Sequence, residues 1–428
     1  MENSGAKNAK LFNSTKTMIG GLVMLIISMG IGRFSYTSIL PLMQSQAHLS
    51  ATESGYLAGS NNLGYLIAAF GAGFITWGSR RAYHLRMQLV LCIILTGLMG
   101  ITSSFLWWMV LRFLTGVSSG LIFVLSSSLV LDVLFSDKRE KWVGIFYGGV
   151  GIGIVLAGLL TPVLSFFTWR GTWIGLLIIS IILIIPVWSF IHDKEPKPIT
   201  QNAASLSSSA ENPSIFGWLL VAYGLEGLGY IVSATFLVAM VKQMPHMSIF
   251  ADFSWIIVGI AAVPSTVIWS WWASKVGYIK PLIIALILQA AGVILPVWLP
   301  NIFGVTLGSV LFGGTFMGIS MLALAAARMS RPFSGNRAIA LMTGFYGIGQ
   351  ILGPIGAGIV LEVAHSYNLS LLLSALVLVA AAIILLSGAV NSSKKKRQEI
   401  CNMLVFILIK SLVRSWAVCI GIRYKWNW

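Results

Sequence analysis

Charge is what this sequence has least of. Only 9% of its 428 residues are Asp, Glu, Lys or Arg, against about 25% in a soluble globular domain. A water-facing surface cannot be built from so few charges. With 57% hydrophobic residues, a soluble fold would expose large apolar patches and aggregate. The outer surface must therefore face lipid. Acidic residues are scarcer still, 12 against 28 Lys and Arg. The net charge of +16 does not signal nucleic acid, because most basic residues lie in short clusters between apolar runs, as in loops that orient a membrane protein. Cysteine is limited to Cys92 in an apolar run and to Cys401 and Cys419 near the C-terminus. Their spacing suits neither a disulfide framework nor a zinc site. The apolar core also lacks paired carboxylates and a His–acid cluster, and His48, His84, His192, His246 and His365 fall in loops or at helix ends. No enzyme, metal or cofactor is expected.

Long apolar runs are what the chain does have. A span needs roughly 20 mostly apolar residues, at about 1.5 Å each, to cross about 30 Å of hydrocarbon. Such runs predict helices over 17–43, 53–77, 86–104, 106–134, 142–167 and 171–191. After a polar stretch, further helices are predicted over 215–241, 251–275, 280–298, 302–327, 338–363 and 368–390. The first run is too long for a signal-peptide core and reads as a retained helix. The expected fold is all-α and integral to the membrane, with twelve transmembrane helices in two pseudo-symmetric six-helix bundles. Its division is a tail over 1–16, a first bundle over 17–191, a linker over 192–214, a second bundle over 215–391 and a basic tail over 392–428.

Orientation follows from the basic residues. Loops on the N-terminal side hold Lys7, Lys10 and Lys16, then Arg80, Arg81 and Arg86, and so on to Lys394–Arg397, whereas the opposite loops hold only Arg170 and Lys242. That bias places both termini in the cytoplasm of a cell whose inner membrane the protein spans. Tryptophans near helix ends, such as Trp107, Trp169 and Trp271, fit interfacial belts.

The halves repeat at a shift of about 198 residues. Residues 30–43 lie over 227–240, Phe146-Tyr147-Gly148 over Phe345-Tyr346-Gly347, and Gly116 and Gly120 over Gly314 and Gly318. Agreement in order on both sides of the polar linker implies two parallel six-helix units.

These residues resemble the major facilitator superfamily, and within it the YbfB/YjiJ-type branch. The likeness is carried by Gly32-Arg33-Phe34-Ser35-Tyr36-Thr37 with Leu40-Pro41-Leu42-Met43, by Trp255 to Pro264, by Phe312 to Gly318 and by Gly349-Gln350-Ile351-Leu352-Gly353-Pro354. It implies the twelve-helix facilitator fold and alternating access around a central cavity. Two departures are visible. Trp77 stands where the superfamily's loop between helices 2 and 3 carries an acid, and Thr161-Pro162 replaces a Gly-Pro pair in helix 5. They set the chain apart from the usual inner-gate charge network and from the antiporter pattern.

A charge at the bilayer centre costs roughly 2.5–3.5 kcal/mol on insertion scales, so Arg33, Arg112 and Glu226 each need a reason to be there. Arg33 and Arg112 either take part in binding or coupling, or bond carbonyls or Glu226 to fix packing. Glu226 is either a proton carrier or the permanent partner of one Arg. Two cations against one acid favour an anionic substrate, because an unpaired buried charge is costly. Tyr36, Asn61, Asn62, Tyr346 and Gln350 are further candidates, with interhelical hydrogen bonding as the alternative. Gly148, Gly158, Pro162, Gly349, Gly353 and Pro354 are expected to pack bundle against bundle and form the rocking interface. Arg80, Arg81 and Lys275 are expected in cytoplasmic gate loops. Residues 398–428, with Lys410 and Arg414 on one face, fit an amphipathic helix at the inner leaflet; a further span and a non-native extension are the alternatives.

The expected function is a secondary transporter of a small solute, an anionic metabolite favoured and protons the candidate coupling ion, working as a monomer in the lipid bilayer. The alternatives are a multidrug or sugar efflux permease of the same fold and, from another class, a membrane sensor that does not transport.

Overall fold

The computed structural model describes residues 2–72, 75, 80–139, 142–192, 215–330 and 335–392, with side chains from 14 onward and not at 335–337. The linker over 193–214, the tail over 393–428 and Trp77 lie outside the described residues. Among the described residues no strand occurs. Lipid offers no hydrogen-bond partner to a bare backbone, so a chain this apolar must satisfy its amides within helices.

The first half holds α1, in three consecutive stretches Glu2–Leu25, Ile26–Phe34 and Ser35–Gln46, then α2 (Ala51–Ala72), α3 (Arg81–Leu98), α4 (Phe105–Ser136), α5 (Val143–Leu164) and α6 (Thr168–Phe190). The second half holds α7 (Phe216–Gln243), α8 (Ala251–Val276), α9 (Ile279–Trp298), α10 (Ile302–Ser330), α11 (Gly335–Ala364) and α12 (Tyr367–Ser392). Nine runs among the described residues are long and apolar enough to cross a membrane, one of which, Val143–Phe190, contains both α5 and α6. Helices α2 and α3 fall outside that set because α2 carries Glu53, Asn61 and Asn62 and α3 begins on Arg81. The outward faces are greasy, as at Ile181, Ile182 and Ile185 of α6 and Leu376 and Ile383 of α12.

Helix α3 starts earlier and stops earlier than its expected 86–104. Its first residue, Arg81, is held by Asp132 of α4. At the other end Gly97 and Gly100 close a turn, the Gly100 amide donating to the Gly97 carbonyl at 3.0 Å.

The repeat extends to the turns. His48 after α1 and His246 after α7 both take left-handed backbone, with φ of 54° and 60°. So do Thr168 between α5 and α6 and His365 between α11 and α12, at 69° and 51°. Left-handed residues other than glycine are uncommon, and here they recur at matching places in the two halves.

Among the described residues the halves meet chiefly along two seams, α2 on α11 and α5 on α8, and the last stretch of α1 also meets α7. A Cβ at Gly55 would overlap the Pro354 carbonyl, and one at Gly347 would stand 2.5 Å from Leu66. On the other seam a Cβ at Gly151 would stand 2.8 Å from the Gly259 carbonyl, one at Gly158 2.7 Å from Ile256, and one at Gly148 3.6 Å from Val263. Pro162 follows one turn beyond Gly158 in α5. Gly349 and Gly353 differ from expectation. Both press on α7 inside their own half, Gly349 at Gly224 and Leu228, Gly353 at the Leu228 carbonyl and Ile231. At 3.6 residues per turn, the α11 face that carries Gly347, Pro354 and Gly358 toward α2 turns Gly349 and Gly353 away from it.

Candidate functional site

The middle stretch of α1, Ile26–Phe34, is wound as a π-helix and is buried throughout. Such widened turns in otherwise α-helical segments occur often at functional sites. Two glycines let it sit deep: Gly30 lies against the Gly153 backbone of α5, and a Cβ at Gly32 would stand 2.8 Å from Cys92 Sγ of α3. The stretch ends by placing Arg33 at the centre of the molecule.

Arg33 is 5% exposed and begins a hydrogen-bonded chain between the halves. Its Nη2 donates to Asn62 Oδ1 at 2.9 Å, and Asn62 Nδ2 donates to the Gln350 carbonyl of α11 at 2.7 Å. Gln350 Nε2 in turn donates to the Tyr230 hydroxyl of α7. The guanidinium lies over the Tyr65 ring, 4.1 Å from its centroid, and 5.4 Å from that of Phe34. Its Nε has no hydrogen-bond partner.

Arg112 occupies a second position, further toward the end where α1 and α7 finish. It donates to the Gly32 carbonyl at 3.3 Å and lies 4.6 Å from the centroid of Tyr36, whose hydroxyl donates to the Ser54 carbonyl at 3.0 Å. Asn61 Nδ2 donates to the Arg112 carbonyl at 2.9 Å. Asn61 thus ties α2 to α4, whereas Asn62, the next residue, faces the centre.

Glu226 stands apart from both arginines. It is fully buried, and neither carboxylate oxygen is within a well-formed hydrogen bond. The salt bridge found among the described residues is Arg81–Asp132, at 3.0 Å; the ion pair of Glu226 with Arg33 or Arg112 is not formed. The reason is placement: Glu226 opens into the second half, in a narrow crevice with Leu219, Tyr223, Leu282, Leu286 and Ile319. Its polar neighbour there is Gln289 of α9.

Aromatic rings form the rest of the centre. Tyr230 stacks near Phe316 and Phe312 of α10, with centroids 6.1 and 6.5 Å away, and on its other side near Tyr346, at 5.7 Å. Tyr346 stacks on Tyr223 at 4.3 Å. Phe34 packs edge-on to Phe316 at 6.2 Å and against Trp255 of α8 at 6.3 Å. In the first half Tyr65, Phe123 and Tyr147 run in sequence, 6.3 and 5.8 Å apart. Of these rings only Tyr346 stood out as a site candidate from sequence. Tyr65, Tyr147, Tyr223 and Tyr230 did not, although Tyr147 lies over Tyr346 in the repeat and Arg33 lies over Tyr230. That register was the available signal.

Among the described residues four side-chain hydrogen bonds join the halves between the centre and the end where α1 and α7 finish. Besides Asn62 to Gln350, Thr37 Oγ1 donates to the Ala234 carbonyl, the Tyr367 hydroxyl to Gln44 Oε1 at 3.2 Å, and the Thr52 amide to Glu362 Oε2 at 3.3 Å. At the linker end, Arg81 pairs within the first half and Lys275 lies over Trp271 of its own helix, 3.7 Å from the ring centroid. Arg80 is exposed there.

Comparison with known proteins places this geometry. A family profile described as uncharacterised MFS-type transporter YbfB matches residues 25–386. The MFS-type transporter YceJ of Bacillus subtilis (strain 168) is 28% identical over 292 residues, which cover 67% of this chain and 74% of that protein. A hexuronate transporter of the same organism is 21% identical over 176 residues, covering 41% of this chain and 42% of its own. Among solved structures, a bacterial homologue of the human lysosomal transporter Spinster, in an inward-facing and unoccupied conformation, superposes with a TM-score of 0.70 at 15% identity, covering 89% of this chain and 98% of that one. The nucleoside transporter NupG (D323A mutant) gives 0.68 at 14% identity, covering 88% and 99%. At these identities the two structures share the fold.

Proposed function

The chain belongs to the YbfB-type branch of the major facilitator superfamily, and from that premise we propose that it carries a small anionic solute by alternating access, with Glu226 as the proton carrier. That it is a secondary transporter follows from the family. The anion is read from one observation, the unbonded Nε of a buried Arg33 at the junction of the halves. A buried cation with an open donor is costly until an anion meets it. The hexuronate transporter among the relatives acts on a carboxylate by its name, in keeping with this reading.

Proton carriage rests on the isolation of Glu226. A buried carboxylate with no cation beside it and only the Gln289 amide as a polar neighbour costs several kcal/mol, and a proton removes that cost. The crossing bonds gather between the centre and the far end, which on this reading is the side away from the cytoplasm, with the basic loops of the linker end facing the cytoplasm. One chain supplies both halves of the pathway, so the monomer is the working unit.

Purified protein in sealed liposomes tests the reading by counterflow of a panel of labelled carboxylates and phosphates. Arg33→Gln is expected to lower transport about 10- to 100-fold, the scale of one charge-assisted hydrogen bond, with the protein still inserted. Unchanged transport by this variant would remove the anion reading.

A further inference from the structure

The rings around Arg33 are of two kinds: Phe34, Tyr230, Phe316 and Trp255 are buried as in a packed core, and a second set is not. Tyr65, Phe123 and Tyr147 from the first half and Tyr346 from the second lie inside the molecule, yet each is only half-buried. Rings that merely filled space between helices would be covered on both faces. The two series, Tyr65–Phe123–Tyr147 and Tyr230–Tyr346–Tyr223, come from opposite halves. Arg33 belongs to both, lying over Tyr65 and beside Phe34, whose own neighbours Phe316 and Trp255 continue the second series.

The two side-chain amides nearest Arg33 are by contrast already engaged. That of Asn62 accepts from Arg33 and donates to the Gln350 carbonyl, and that of Gln350 donates to the Tyr230 hydroxyl. Open groups near Arg33 are its own Nε, the Arg112 Nε, the Asn61 Oδ1 and the indole Nε1 of the buried Trp255, beside the incompletely covered rings of Tyr65 and Tyr346. Aromatic faces prefer flat partners of their own kind, with pairs worth about 0.5–1.5 kcal/mol beyond the area they bury.

We propose that the transported anion bears a flat aromatic ring, its carboxylate held by Arg33 and its ring lying between Tyr65 and the Tyr230–Tyr346 stack. The inference rests on the anionic reading given above and names the substrate class for that site. Trp255 Nε1 then offers a donor to a ring substituent or to the second carboxylate oxygen.

Thermal stabilisation of the purified, full-length protein tests this with benzoate, cyclohexanecarboxylate, glucuronate and uncharged benzyl alcohol. Benzoate should stabilise at about tenfold lower concentration than cyclohexanecarboxylate, the scale of one aromatic contact, and glucuronate should be weaker than benzoate. Tyr65→Leu should erase the preference for benzoate over cyclohexanecarboxylate while leaving weak binding of both, and Tyr346→Leu should reduce it as a second, independent variant. Arg33→Gln should abolish the effect of all three acids. Equal or better stabilisation by cyclohexanecarboxylate or glucuronate overturns the aromatic class and leaves the anion reading standing. Stabilisation by benzyl alcohol with none by any acid overturns both.

Discussion

Helices α1 and α7 carry different side chains at one repeated position, Arg33 in the first half and Tyr230 in the second. Around them the backbones agree, down to the left-handed turns at His48 and His246. The chemistry does not. The first half brings both buried arginines, and the second brings the buried acid and most of the stacked rings. Duplication of a six-helix unit gives two walls that can rock on each other. Divergence of a few inward residues then leaves buried cations on one wall and a buried acid with stacked rings on the other, the division on which the proposed anion and proton roles rest.

The largest way to break this comparison acts on the seam between the halves. Gly151→Leu would force its side chain into the Gly259 carbonyl and Val263 across α8, and overpacking costs about 1–3 kcal/mol or more. Counterflow is expected to fall roughly 100-fold. Gly353→Leu presses instead on Leu228 of its own half, so its main effect should be a lower Tm. If the two variants lost transport and Tm in equal proportion, the seam would be no different from ordinary packing.

Smaller effects sharpen the division of labour. Glu226→Gln cannot exchange a proton, so transport driven by a pH gradient should drop roughly tenfold, about 1.4 kcal/mol, while exchange at equal pH on both sides continues. Loss of both together would make Glu226 part of the substrate grip rather than of coupling. The mildest change is Tyr367→Phe, which removes the hydroxyl that reaches Gln44 from the other half. Losing one such bond, about 1 kcal/mol, should raise labelling of a cysteine placed at the buried Ser38 roughly fivefold. An unchanged labelling rate would mean the bond does not help close that side.

Much of the architecture was legible because apolar run length is a direct consequence of the bilayer's thickness. The centre was legible where polar residues are rare: Arg33, Arg112, Glu226, Asn62 and Gln350 all announce themselves against an apolar background. Which neighbour each would choose was not. Arg33 found Asn62 instead of Glu226 because partnering depends on helix rotation, and a π-wound stretch alters that rotation without any marker beyond Gly30 and Gly32. The glycines of α11 were misassigned for a related reason. Small residues occur on several of its faces, and composition does not say which face meets which neighbour. Tyrosines were passed over because in a membrane helix a ring is unremarkable until two halves bring several together.

Each π turn holds one residue more than an α turn, so the stretch over 26–34 sets phase rather than length. Everything in α1 beyond Phe34 stands about 100° further round the axis for each added residue. Tyr36, Thr37 and Gln44 meet Ser54, Ala234 and Tyr367 only at that setting. Taking one residue out of the stretch would leave the span almost as long and swing its whole outer third off its partners.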